Sequence, residues 1–332
     1  MAKILVIRFS ALGDVVMTVP IVYALATQYP QHQITVLSRK RMAVYFNHLP
    51  DNVSFKGIDL NSYKGFSGLL RLYKELKKEK FDYIADFHDV LRTKVIRFFF
   101  WITGKSVQHI LKGRKEKRDL TREHGKKKIQ LKTSFQRYAD VLERLGFPIQ
   151  QNYKSWKHPR PSDSGQENWI GIAPFAAHTG KVYPLDKMKE ITKVLTSNSK
   201  NKVYLFGGGK KEQRICEDWE KEIPGTISVI GKLQQEEELN LISQLDVMVS
   251  MDSANMHMAS LVGTPVVSIW GATHPFAGFM GWGQNPDNTI QLDMDCRPCS
   301  IFGNKPCKRG DYACLNNIKP EQVLEHIETI LK

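Results

Sequence analysis

Short apolar runs and longer amphipathic stretches alternate along almost the whole chain. Residues 3–8 form a nearly continuous apolar run, the pattern of a strand buried on both faces. Further runs of strand length fall at 34–37, 53–58, 83–87 and 107–111. Helical spacing marks 14–28, 68–80, 90–102 and 133–145, the last stopping at Gly146. Between 154 and 168 the chain turns polar and rich in breakers (Pro159, Pro161, Ser162, Asp163, Ser164, Gly165), which reads as a linker. The alternation then restarts. Strands are expected at 169–173, 202–206, 226–230, 246–250 and 265–270, with helices at 188–196, 212–221, 236–243 and 253–262. Pro320 opens a final helix with Val323, Leu324, Ile327 and Ile330 on one face. Repeated strand–helix alternation in both halves predicts two parallel-sheet α/β domains, at 1–160 and 161–319. The last helix, 320–332, is expected to pack back towards the first domain.

A length of 332 residues suits two domains, and 42% hydrophobic residues are enough for two cores, which excludes wholesale disorder. No apolar run approaches the ~20 residues of a spanning helix. The N-terminus is too soon interrupted by charge for a signal peptide, so the expected location is cytoplasmic. The net charge is +14, and residues 101–137 hold twelve basic and three acidic side chains, a local +9. Such a field attracts an acidic partner: nucleic acid, an anionic membrane or an anionic substrate. The aromatic run Phe98-Phe99-Phe100-Trp101 lies beside it, which suits a membrane or acceptor surface as well as a helix end followed by a solvated loop.

Parallel α/β domains bind ligands outside the carboxyl ends of their strands, so the loops after strands carry the candidate chemistry. The first is Ser10-Ala11-Leu12-Gly13-Asp14, where Gly13 permits a tight turn and Asp14 suits either a helix cap or a general base. G-x-G-x-x-G is absent, so this is not a dinucleotide loop. The second is 174–181, ending Thr179-Gly180-Lys181, able to hold phosphate through N–H groups and one point charge. The third is Gly207-Gly208-Gly209, a close-approach site or a flexible turn. The fourth, Asp252-Ser253-Ala254-Asn255-Met256-His257, opens a helix whose N-terminus suits a diphosphate. His257, one turn beyond Ser253, reads by itself as a structural histidine. Cys296, Cys299, Cys307 and Cys314 cluster near the C-terminus; structural zinc, packed thiols and oxidised pairs all fit that spacing. Cys216 lies in a predicted helix and reads as core.

Together these loops resemble glycosyltransferase family 9, the lipopolysaccharide heptosyltransferases. The resemblance rests on 8–16 (Arg8-Phe9-Ser10-Ala11-Leu12-Gly13-Asp14-Val15-Val16), Phe206-Gly207-Gly208, the 252–257 motif and Gly263-Thr264-Pro265-Val266-Val267. It implies a GT-B fold, two Rossmann-like domains facing across a cleft, with acceptor on the first and nucleotide sugar on the second. It implies inversion at the transferred sugar, no metal and no cofactor beyond the donor, expected to be ADP-heptose. By the same resemblance Asp14 is the catalytic base in a loop with Ser10 and Gly13. Lys181, with Thr179, contacts the donor phosphates. Gly207 and Gly208 line the donor, Asp252, Ser253 and Ala254 approach its diphosphate and sugar, His257 supports that end, and Leu233 lies against the base. Family members often carry Gly where Ala254 stands, and Glu212 is the nearest acidic candidate for the ribose. The expected acceptor is an anionic lipid-linked one, lipid A with its inner core, met by a monomer peripheral on the cytoplasmic face of the inner membrane. A nucleotide-sugar epimerase of similar architecture and a basic nucleic-acid-binding protein are the rival readings. No recognised nucleic-acid module is apparent, so no nucleic-acid partner is expected.

Overall fold

The protein is described here by a computed structural model covering residues 1–161, 165 and 167–332. It divides into two compact units, one of residues 1–112 and 132–154, the other of 113–131 and 155–332.

The first unit is built on a five-stranded parallel sheet of β1 (Lys3–Ile7), β2 (Gln33–Arg39), β3 (Val53–Ile58), β4 (Tyr83–Asp86) and β5 (Ser106–His109), in the order β3-β2-β1-β4-β5. The central strand β1 pairs with β2 on one side and β4 on the other, in register Ile7 with Leu37 and with Asp86. Ile4, Leu5, Val6 and Ile7 are all fully buried, as a continuous apolar run in a covered sheet requires. Helices α1 (Leu12–Val16) and α2 (Val19–Gln28) replace the single helix expected over 14–28. Pro20 is the cause. It lacks an N–H and is tolerated only in a first turn, so the chain restarts at Val19. Helices α3 (Gly65–Lys77) and α4 (Leu91–Ile102) pack side by side, with Leu72, Tyr73, Ile96 and Phe100 among the core of this unit.

The second unit carries a six-stranded parallel sheet. Before it, the chain contributes α5 (Arg114–Thr121), where the sequence pointed to a loop. The remaining helix of the first unit is α6 (Ser134–Arg144), capped by Thr133, whose hydroxyl accepts from the Gln136 N–H. The strands are β6 (Asn168–Ala173), β7 (Asn201–Leu205), β8 (Thr226–Ser228), β9 (Val247–Met251), β10 (Val266–Ile269) and β11 (Thr289–Ile290), ordered β11-β10-β9-β6-β7-β8. Helices α7 (Leu185–Ser197), α8 (Lys210–Glu222), α9 (Gln235–Gln244) and α10 (Ala254–Leu261) connect them, followed by α11 (Ala313–Asn316) and α12 (Pro320–Leu331).

Three expectations of domain layout change. Residues 113–131 belong to the second unit, because Leu120 and Leu131 are buried with Ala277, and the Leu131 N–H bonds the Phe276 carbonyl at 2.9 Å. The terminal helix α12, expected to return towards the first domain, is part of the second unit: Val323 and Ile327 are fully buried in the core formed by Ile170, Val249, Ile269 and their neighbours. The first unit ends at Lys154, six residues before the expected boundary, and Ser162, Asp163 and Ser164 of the expected linker lie outside the described residues.

If α12 is part of that core, Ile327→Ala removes buried methyl groups and lowers stability by about 2–5 kcal/mol in chemical denaturation. A change within about 0.5 kcal/mol, as at an exposed position, would remove the helix from the core.

Candidate active site

In both sheets the chain reverses its direction of travel between two central strands. In the first unit these are β1 and β4; in the second they are β6 and β9. Successive connections leave such a pair to opposite sides and open a crevice at the carboxyl ends. Nearly every candidate residue lies there.

In the first unit the loop after β1 delivers Arg8, Ser10 and Asp14. Asp14 is not the cap residue itself but the third residue of α1. Its Oδ2 accepts the Ala11 N–H at 3.1 Å and pairs with the Arg8 guanidinium at 2.7 Å. Among the described residues no hydrogen bond reaches Oδ1, and the side chain keeps 30% of its surface. Arg8 is itself buried. It donates to the Phe87 carbonyl at 2.6 Å and lies over the fully buried Tyr138 ring, whose hydroxyl donates to the Asp14 carbonyl at 3.3 Å. One carboxylate oxygen is therefore fixed and the other left open, an arrangement able to accept a proton from a bound hydroxyl.

His88, directly after β4, escaped the sequence reading. Its Nε2 lies 3.4 Å from the Ser10 hydroxyl, and its backbone N–H bonds the buried Asp86 carboxylate at 2.9 Å. Burial, then the charges of Arg8 and Lys112, pushes its pKa down to about 3, so it is neutral. The rule that ligand residues follow strands would have found it, had it been applied to β4.

In the second unit the loop after β6 forms a turn at Thr179–Lys181. Gly180 is required there, since a Cβ would meet the Gly303 carbonyl at 2.8 Å. Lys181 reaches the end of β9. Its Nζ lies 2.9 Å from Asp252 Oδ2 and 3.0 Å from the Asp252 carbonyl. Both partners are largely buried, and removing either would strand a charge. One ammonium proton is donated to the Asp252 carbonyl, and the carboxylate Oδ2 lies beside the charge without a hydrogen bond of its own among the described residues. Ser253 precedes α10 and bonds Ser250 hydroxyl to hydroxyl at 3.1 Å, so it does not cap the helix with its side chain. Ala254 is the first helical residue, and His257 is buried one turn on.

The glycine run after β7 is part of the same end of the sheet. A Cβ on Gly207 would touch Glu212, Ile230 and Phe175, each at 2.9 Å, whereas Gly208 opens to space. Glu212 bonds the Gly208 N–H at 2.7 Å, so its carboxylate secures this loop. Leu233 is half-buried after β8.

The four clustered cysteines line one cavity of about 520 Å³, together with Lys126 and Arg297. All are free thiols, and among the described residues no three His, Cys, Asp or Glu side chains gather closely enough to hold a metal ion. Burial pushes Cys314 up to about 11 and the core residue Cys216 up to about 12. Arg297, also missed, is buried and donates to the carbonyls of Trp270 and Thr273 at 3.0 and 2.9 Å, tying this loop to the end of β10.

Comparison with known proteins matches residues 69–307 to the model of glycosyltransferase family 9 (heptosyltransferase). The chain belongs to this family. It is 24% identical to lipooligosaccharide heptosyltransferase 2 of Campylobacter jejuni over 97% of this chain and 96% of that one. A glycosyltransferase family 9 structure from Veillonella parvula superposes with a TM-score of 0.76 at 19% identity, covering 99% and 97% of the two chains. The E. coli ADP-heptose lipopolysaccharide heptosyltransferase II structure gives 0.70 at 18% identity, covering 99% and 98%. The chain is thus a glycosyltransferase with the paired parallel sheets of the GT-B fold, and family membership favours transfer over the epimerase reading.

His88 supplies a pH test. Its folded pKa lies below the ordinary 6.5, so its contribution to stability is fully present above pH 6.5 and is lost as the pH falls below that value. Denaturation across this range should show a shallower acid loss in His88→Gln than in the parent. Equal slopes would mean that His88 protonates freely in the fold.

Proposed function

We propose that this enzyme transfers heptose from ADP-heptose to the inner core of lipopolysaccharide, inverting the sugar's anomeric configuration without a metal ion. The observation that carries the reading is the Lys181–Asp252 pair at the switch point of the second sheet. A nucleotide sugar leaves as a diphosphate, and its growing negative charge needs fixed positive partners. Lys181, steered by Asp252, offers one such charge. The backbone N–H groups of the Thr179–Lys181 turn and of the first turn of α10 offer dipoles. Asp252, Ser253, Ala254, Thr179 and His257 then surround the diphosphate and sugar, and Gly207, Gly208 and Leu233 take the nucleoside. The named activities of the relatives support heptose and a lipopolysaccharide-type acceptor.

In this mechanism the acceptor hydroxyl oxygen attacks the anomeric carbon as the bond from that carbon to the diphosphate oxygen breaks. The hydroxyl proton passes to Asp14 Oδ1, the electron pair leaves with the diphosphate, and attack from the opposite face inverts the centre. Arg8 and the Ala11 N–H hold Oδ2 so that Oδ1 is presented to the acceptor. Ser10, Gly13 and neutral His88 shape the same loop. The acceptor is lipid-linked and anionic, so the enzyme works as a peripheral monomer on the cytoplasmic face of the inner membrane.

Asp14→Asn should cut kcat by about 10²–10⁴-fold while the donor Kd from equilibrium binding stays unchanged. Near-normal turnover removes Asp14 from the mechanism. Lys181→Ala should raise the donor KM and lower kcat together; if both are unchanged, the lysine does not serve the diphosphate. Product stereochemistry by NMR and turnover in excess chelator test inversion and metal independence directly.

A further inference from the structure

We propose that the outer face of α4, with the adjoining end of α3, is a lipid-binding surface that seats the enzyme on an anionic bilayer. Helix α4 has two apolar faces. Thr93, Ile96 and Phe100 fill the core side. Leu91, Phe98, Trp101 and Ile102, at spacing i, i+7, i+10 and i+11, share the opposite side and are 78, 51, 64 and 54% exposed. A helix that only covers a core needs one apolar stripe, so the second stripe is unexplained by folding.

The stripe extends to the next helix. Phe66 of α3, 64% exposed, has its ring 5.9 Å from Phe99; Phe99 lies 5.9 Å from Phe98, and Phe98 lies 6.1 Å from Trp101. Phe66, Phe98 and Trp101 thus join through Phe99 in one patch, and the exposed Leu91 and Ile102 lie on the same face of α4. Single exposed apolar residues are ordinary, but a contiguous patch marks a binding surface.

Charge decides the occupant. Residues 64–105 hold ten Lys or Arg and five acids, a net +5, with Arg97 paired to Asp86 and Asp89 at 2.9 Å. Lys94 stands within the stripe between Leu91 and Phe98, and Lys74 and Lys77 share the flank of α3 that carries Phe66. Such side chains can bury their stems and keep their ammonium groups at a polar boundary. A second copy joined face to face would set +5 against +5. An anionic headgroup layer with acyl chains beneath it matches both the charge and the rings, as for amphipathic helices lying in the interface. No helix is long and apolar enough to cross a membrane among the described residues, so this contact lies on the bilayer rather than through it.

This assigns the membrane contact to a different place from the basic segment around 113–131. There, Lys128 pairs with Asp293 at 3.0 Å, Lys126 donates to the Asp295 carbonyl, Glu123 pairs with Lys308, and Lys117 lies 4.6 Å over the Phe279 ring. Lys117, Lys126 and Lys128 are thus engaged within their own unit, and among the described residues no exposed aromatic stripe like that of α4 accompanies them.

The inference rests on the proposed lipid-linked acceptor for its purpose, but its test does not. The full chain is mixed with vesicles of phosphatidylcholine, with and without phosphatidylglycerol, and sedimented. Binding should require phosphatidylglycerol and weaken as salt rises. Phe98→Ser and Trp101→Ser should each weaken it about tenfold, while the melting temperature holds because both rings are exposed. Both variants should process a soluble, deacylated acceptor at the parent rate. Absent or salt-insensitive binding, variants that bind as well as the parent, or self-association that Trp101→Ser abolishes would each overturn the proposal. Failure of the parent chain to use any soluble acceptor would instead strike the proposed transfer reaction and leave the vesicle result standing.

Discussion

The proposed chemistry of this chain depends on where a parallel sheet changes its winding direction. Adjacent strands β1 and β4, and again β6 and β9, send their connections to opposite sides. Such divergence opens a crevice at the carboxyl ends of those pairs. Side chains far apart in sequence meet there. Arg8 meets the Phe87 carbonyl across the first pair, 79 residues apart, and Lys181 meets Asp252 across the second, 71 residues apart. The sheets need buried apolar strands for stability, and those strands deliver the polar loops to the crevices that the switch points open.

The two switch points solve one electrostatic problem in complementary ways. Each holds a cation against a carboxylate in a partly dry place. In the first unit the cation is the buried member, and the carboxylate keeps an open oxygen. In the second unit the carboxylate is the deeper member, and the ammonium lies beside it. Pairing offsets the desolvation of each charge, which alone would cost several kcal/mol. The partner also sets direction: Arg8 fixes one oxygen of Asp14, and Asp252 fixes the Lys181 ammonium. The proposed reaction, with proton acceptance at one and diphosphate stabilisation at the other, calls for those two polarities.

Much of this was legible in the sequence, for a physical reason. Strands covered on both faces are continuous apolar runs, so β1, β4, β6, β7, β9 and β10 announce themselves, and the loops after them direct attention to Asp14, Lys181 and Asp252. His88 was equally accessible by position but carried no motif. What was not legible depended on long-range burial. Leu120 and Leu131 are isolated apolar residues in a basic stretch with no periodicity, so nothing local tells that they join Ala277. Arg297 looks like any surface arginine until its carbonyl partners are known. The destination of α12 was ambiguous because an amphipathic helix shows that it has a buried face, not which core receives it.

The excess of positive charge resolves by the same logic. Read as a sum, +14 suggests one basic surface. The fold separates it into two populations with different physical roles. Lys128 lies against Asp293, Lys126 on the Asp295 carbonyl and Lys117 over the Phe279 ring, while Glu123 pairs with Lys308, so these side chains hold the 113–131 segment within the second unit. Cations of α3 and α4 surround rings that the core does not use. Apolar surface kept exposed is a standing liability for aggregation, and like charge around it is one way to keep copies of the chain apart. In the proposed membrane contact, that same charge draws the surface to anionic headgroups. Repulsion between copies and attraction to a bilayer therefore follow from one arrangement of residues, which is why the exposed aromatics and the lysines belong to a single device.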